Sequence, residues 1–195
     1  MSVLVIDYEN IIRKTDRLII RPMRKDDFII VKESLNEQGP QKNKYDEEEI
    51  EFANNYTEEV FEKHLKASRK YSTNDNAYIF KVFKKSDGKY IGGIIIKAIL
   101  RKNFQWSEIG YWLLNQYWGN AYGSEMIKAG IDIAFKELGF HRVEAQINLD
   151  NLASQRIAEN AGMKLECIRK GFIYEFGEWT DNMVYIANNI EDTKQ

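Results

Sequence analysis

The chain of 195 residues has one cysteine, Cys167, two histidines and two prolines, Pro22 and Pro40. A lone cysteine excludes an internal disulfide and fits a reducing compartment. It falls in an expected strand, where a buried inert thiol is the simpler reading than a nucleophile. His64 and His141 make no zinc-binding spacing with it, so no metal is expected. No apolar run approaches the roughly 20 residues of a membrane span. Met1 to Lys14 carries Asp7 and Glu9 where a secretion signal would need a basic start. A formal net charge of −2 supplies no global basic field for nucleic acid or an anionic membrane. Neither partner is expected, and cytoplasm is the default location. With no repeat, low-complexity tract or internal linker, residues 1–195 read as one domain, with 1–14 an N-terminal extension and 188–195 a C-terminal tail.

What is present is a mixed α/β pattern. Leu18 to Arg21 reads as a strand stopped by Pro22, and Asp26 as the N-cap of a helix with Phe28, Val31 and Leu35 on one face. Gln38-Gly39-Pro40 breaks that helix. The acidic run Asp46 to Glu51 reads as a solvated helical face, and Thr57 as the cap of a helix with Val60, Phe61 and Leu65 inward. Strands over Tyr78 to Phe83 and Tyr90 to Ile96 flank the turn signal Ser86-Asp87-Gly88-Lys89. A strand from Trp106 to Leu114 precedes a helix with Ile127, Ile131, Ala134 and Leu138 at helical spacing. A strand over Arg142 to Leu149, a helix over Leu152 to Ala161 and strands near Leu165 to Tyr174 and Asn182 to Ala187 complete the pattern.

The segment Gln116-Tyr117-Trp118-Gly119-Asn120-Ala121-Tyr122-Gly123-Ser124 joins a strand to a helix. Small residues there let backbone N–H groups converge on a phosphate, and the unpaired amides of the helix's first turn add partial positive charge. No Lys-Ser or Lys-Thr pair follows the glycines, so the lysine and the magnesium-holding hydroxyl of a phosphate-hydrolysing loop are missing. The phosphate expected here belongs to a cofactor that is held rather than hydrolysed. Close helix packing is the structural alternative for the same small residues.

Gln116-x-x-Gly119-x-Ala121 resembles the acetyl-CoA loop of the GNAT N-acetyltransferases. Thr15 to Pro22, Trp118 to Glu125, Leu138 to Ala145, Asn151-x-x-Ser154, Gly162 to Glu166 and Gly177 to Asp181 follow in order, and together resemble the RimJ/RimL-like branch, which acetylates ribosomal-protein N-termini. The resemblance spans about 15–187. It implies a mostly antiparallel central sheet with a splayed parallel strand pair and flanking helices. It also implies acetyl-CoA as cosubstrate, with the pantetheine arm along Trp112, Leu113 and Leu114, and the loop from Gln116 to Ser124, Asn151 and Ser154 completing the cofactor site. A backbone N–H near Leu113 would stabilise the charge developing on the thioester oxygen.

An α-amino group, with a pKa of about 7.7–8.0, needs only a modest base, whereas a lysine near 10.4 needs a strong one. Glu108 is the candidate base, on one strand face with Gly110 and Trp112; an exposed strand carboxylate is its other reading. Many GNAT relatives place an acidic tyrosine where this chain has Ala158, and the branch suggests the Ser154 hydroxyl in its stead, as a group contacting the cofactor sulfur or as a helix-capping residue. The expected function is transfer of acetyl from acetyl-CoA to a primary amine, a protein N-terminus such as a ribosomal protein's, by direct attack in a ternary complex. A polyamine or antibiotic acceptor and a non-catalytic acyl-CoA-binding module are the alternatives. A monomer or a homodimer suits either.

Overall fold

The computed structural model describes residues 6–46 and 55–190. The acidic run read as a helical face therefore lies, beyond Asp46, outside the described residues. Strands β1 (Arg13–Lys14) and β2 (Leu18–Arg21) lead to helices α1 (Phe28–Asn36) and α2 (Glu58–Thr73). Strands β3 (Ala77–Lys84), β4 (Tyr90–Leu100) and β5 (Trp106–Leu113) follow, then α3 (Tyr122–Lys136), β6 (Arg142–Asn148), α4 (Leu152–Asn160), β7 (Lys164–Glu175) and β8 (Glu178–Asn188). One eight-stranded sheet takes the order β1-β2-β3-β4-β5-β6-β8-β7. All neighbours are antiparallel except β5 and β6.

The elements form where the sequence places them, with local corrections. Helix α1 is entered not through Asp26 but through a short 3-10 turn, Lys25–Asp27. Asp27, 4 % exposed, accepts from the Arg24 amide and takes a two-pronged ion pair from Arg21 at 2.6 and 2.7 Å. The nearer, buried carboxylate wins because it satisfies a guanidinium as well as a backbone donor. Thr57 caps α2 as expected, its hydroxyl accepting from the Val60 amide at 3.3 Å. Helix α3 stops at Lys136, and Leu138, fully buried beyond the end, closes it through Gly139 at φ +68°.

Cys167 is exposed rather than buried. Strand β7 is one edge of the sheet and none of its residues is buried, so strand membership did not imply burial there. Asp181 lies within β8. It accepts from Lys170 Nζ at 2.6 Å and the Gly171 amide at 2.8 Å, where β7 shifts register between Arg169 and Ile173.

The core sits between the sheet and its helices. β4 buries five consecutive residues, Tyr90 to Ile94, so both of its faces are covered. Met126, Ile127, Ile133 and Ala134 of α3 are fully buried, and Gly130 allows that helix down onto Ile109 and Ile94: a Cβ there would come 2.9 Å from Ile109 Cδ1. This close seating fixes the start of α3 at the open end of β5.

Candidate active site

Strands β5 and β6 pair only through Trp106 with Arg142, Ser107 with Val143 and Glu108 with Glu144. Beyond Glu108 they diverge, and a gap opens on the β6 side of β5. The Leu114 amide bonds Ile91 O of β4 at 2.9 Å. Alternation along the strand turns the amides of Leu113 and Tyr111 the other way, into the gap. Trp118 Nε1 caps the Leu113 carbonyl at 2.7 Å, so the free polar group that Leu113 offers is its N–H. The neighbouring indole of Trp112 lies over Gly93, where a Cβ would come within 2.2 Å of the ring. Its Nε1 donates to Tyr90 Oη at 2.8 Å and Lys81 stands 4.8 Å above the ring. Trp112 thus turns its backbone to β4, its carbonyl lying against Gly92, while its side chain locks β4 to β5.

At the open end a cavity of about 720 Å³ runs from β5 to the starts of α3 and α4, a size suited to a large ligand. Trp112, Leu113, Leu114, Trp118, Gly119, Ala121, Tyr122, Gly123 and Ser124 line one side, and Asn151, Ser154, Arg156 and Ile157 the other. Gly119 at φ +80° and Ala121 at φ +59° turn the loop into the left-handed region twice before α3 begins. The first-turn amides of α3 have no acceptor of their own in the helix. Gly123 lets α4 approach: a Cβ there would fall 2.7 Å from Ile157 Cδ1. Asn151 caps α4, its Oδ1 accepting from the Ser154 amide at 3.1 Å. Two helix N-termini thus meet over one cavity, an arrangement suited to a phosphate-bearing ligand.

Four of the expected residues do not line the cavity. Gln116 turns away, its Nε2 donating to Ser34 O in α1 at 3.0 Å. Tyr117 is buried under Lys84, and the Asn120 side chain closes the loop on the carbonyls of Tyr117 and Trp118 at 3.1 Å. Glu108 lies upstream, at the closed end of the gap, with Lys97 Nζ 3.0 Å from its carboxylate. Gln116 and Asn120 thereby shape the loop from behind.

Tyr111 and Ser154 face each other across the gap. The phenol donates to the Ser154 carbonyl at 3.1 Å. Burial pushes its pKa up to about 12, against an opposing pull from the Ser154 hydroxyl. Ala158, one turn further along α4, is fully buried, so a tyrosine could not stand there without overpacking the core.

The cavity's outer wall escaped the sequence reading. Asn115, 1 % exposed, donates to the carbonyls of Gly39 and Pro40 at 2.9 and 3.1 Å and to Asp46 Oδ2 at 2.9 Å, while the Gly39 amide donates to its Oδ1 at 3.0 Å. Asp46 is 4 % exposed and also accepts from the Lys42 amide. This knot carries Gln38, Asn43, Tyr45 and Asp46 to the cavity's rim. Tyr45 donates to Asp150, before α4, and its ring meets that of Phe176 edge-on at 5.6 Å. Asn115's partners stand 69 to 76 positions away, so nothing local marks it. Among the described residues, no group of three or more His, Cys, Asp or Glu could hold a metal ion, and no helix is long and apolar enough to cross a membrane.

Comparison with known proteins gives one family. The profile of the acetyltransferase (GNAT) domain matches residues 17–164. A probable N-acetyltransferase, YjcK, of Bacillus subtilis is 29 % identical over 92 % of this chain and 98 % of its own length. A ribosomal-protein-S5-alanine acetyltransferase from Vibrio fischeri superposes with a TM-score of 0.74 at 20 % identity, covering 93 % of this chain and 98 % of that one. A spermidine N-acetyltransferase chimera from Vibrio cholerae and hSSAT superposes with a TM-score of 0.65 at 14 % identity over 91 % and 99 %. At such identities the two structures speak for the fold.

Proposed function

The chain belongs to the GNAT acetyltransferases and is an acetyl-CoA-dependent N-acetyltransferase, and we propose that its acceptor is the α-amino group of a protein N-terminus, reached in the cytoplasm. The observation that carries this reading is the state of the one carboxylate lining the cavity among the described residues. Asp46 is committed to Asn115 and to the loop amide of Lys42. With no free carboxylate on the cavity wall itself, a base must act at a distance, which suits an amine that is partly neutral at pH 7, as an α-amine is and a lysine or polyamine is not. The ribosomal-protein acetyltransferase among the structural neighbours supports the same acceptor, and the spermidine enzyme names its competitor.

The residues divide the work as follows. Gly119, Ala121 and the first turn of α3 would hold the pyrophosphate, and the exposed edge of β5 the pantetheine amides. The Leu113 N–H, turned into the gap where β6 has diverged, would face the thioester oxygen as the amine attacks and negative charge develops there. The Ser154 hydroxyl would stand at the departing sulfur, whose thiolate, near the 8.5 of a free thiol, needs little acid help. Glu108 would draw the amine's proton through water. The test is thiol release from acetyl-CoA against N-terminal peptides, polyamines and aminoglycosides. Turnover with peptides alone is expected, and turnover with spermidine alone would overturn the acceptor assignment.

A further inference from the structure

Thr15, Arg17 and Glu125 form a charged knot beside the loop. Glu125, in the first turn of α3, accepts from the Thr15 hydroxyl at 2.5 Å, the Arg17 amide at 3.0 Å and Arg17 Nε at 2.7 Å. Arg17 Nη2 lies 2.6 Å from the same carboxylate, and the guanidinium covers the Tyr122 ring at 4.5 Å. Its Nη1 donates to the carbonyl of Asn120 at 2.9 Å. That carbonyl opens the peptide leading into Ala121, a residue with a side chain held at φ +59°, where a Cβ is unwelcome. In a trans peptide the C=O and the next N–H point in opposite directions. Gripping Asn120 O therefore sends the Ala121 N–H away from Arg17, and Ala121 lines the cavity.

We propose that Arg17, anchored by Glu125, is a positioning residue for the pyrophosphate of the cosubstrate: it fixes the Asn120–Ala121 peptide so that the Ala121 N–H joins the first-turn amides of α3. This rests on the reading of the loop as an acetyl-CoA site. The Arg17 charge is already met by Glu125, so the residue acts through the peptide it grips and not as a phosphate ligand. Burial alone would raise the Glu125 pKa, but the bonds from Thr15 and Arg17 hold it below the usual glutamate value, which keeps the anchor charged.

The test measures CoA binding by calorimetry for the wild type, Arg17→Met, Glu125→Gln and Thr15→Val, with thermal melts to establish folding. Turnover is then followed with acetyl-CoA and with S-acetylpantetheine, which lacks the pyrophosphate. Losing one charge-assisted bond should raise the Kd for CoA by about ten- to hundredfold in Arg17→Met and Glu125→Gln, and by less in Thr15→Val, which loosens only the anchor. KM for acetyl-CoA should rise in step while the slow turnover of S-acetylpantetheine is kept. A Glu125→Gln that binds CoA as well as the wild type, or better, would mark Arg17 as a direct phosphate ligand and overturn the proposal. So would equal losses with both acetyl donors, which would signal a general defect, or an unchanged Kd in folded Arg17→Met. A wild type that binds no CoA would instead sink the reading of the site, and the proposal with it.

Discussion

Tyr111 and Ser154 are joined by a hydrogen bond of 3.1 Å from the phenol of one to the carbonyl of the other, the link that spans the gap between β5 and α4. It closes the gap at one point and leaves the rest open, and it ties the first turn of α4, which carries the Ser154 hydroxyl, to β5. Tyr111→Phe should therefore lower stability by about 1 kcal/mol. It should lower kcat more than it raises KM for acetyl-CoA, because the serine loses its support. Steady-state kinetics beside denaturant melts would check both; equal effects on kcat and KM would remove the link from the chemistry.

Ser154→Ala should slow acetyl transfer by about tenfold while changing CoA affinity little, as expected for a hydroxyl that assists at the sulfur. Asn151 caps α4 through the Ser154 backbone amide, so the cap survives the substitution and the melt should hold. Wild-type turnover would end the role.

Gly119 at φ +80° has nothing within 4 Å of where a Cβ would be. The cost of Gly119→Val is thus backbone strain, about 1–2 kcal/mol, relieved by turning the loop amides. Titration calorimetry should show weaker CoA binding with little change in folding. Unchanged affinity would take Gly119 out of the phosphate cradle.

Glu108→Gln tests a base acting through water. The rate should fall strongly near pH 6, where an α-amine is mostly protonated, and less near pH 9, where most of it is neutral. An equal loss at both would make Glu108 a positioning group. No loss at either would leave it as the partner of Lys97 alone.

Glu125 gives a second pH dependence, of folding. Its native pKa is held below the usual 4.5, so its contribution to stability is complete above that value and fades as pH falls through the native one. Wild type should therefore exceed Glu125→Gln in stability at pH 7, and the two should converge as the pH drops below about 4. A constant difference across that range would contradict the shift.

The strands, the α3 stripe and the glycine loop were legible in the sequence because their signals are local: alternation, a 3.6-residue period, small residues at a strand-to-helix turn. The Asp26 cap of α1 did not form: the 3-10 turn before the helix is held by Asp27, whose carboxylate takes Arg21, six positions back, and the Arg24 amide and makes no side-chain cap to the helix. Burial of Cys167 was misjudged because strand patterning does not say which strand ends the sheet. Within the site, the loop residues Gly119, Ala121 and Gly123 line the cavity, whereas Trp112 and Leu114 turn their amides to β4 and Gln116 and Asn120 brace the loop from behind. The wall from Gln38 to Asp46 was invisible, since the buried Asn115 that holds it speaks only to residues far away in the chain.

The three-pair seam between β5 and β6 leaves a gap in the sheet that, on the proposed reading, the acetyl donor would fill. An acyl-CoA lying along β5 would act as a strand, and what binds only the folded state stabilises it by mass action. Each tenfold rise in free ligand above its Kd adds about 1.4 kcal/mol. The enzyme's resistance to unfolding would then rise and fall with the supply of its own acetyl donor.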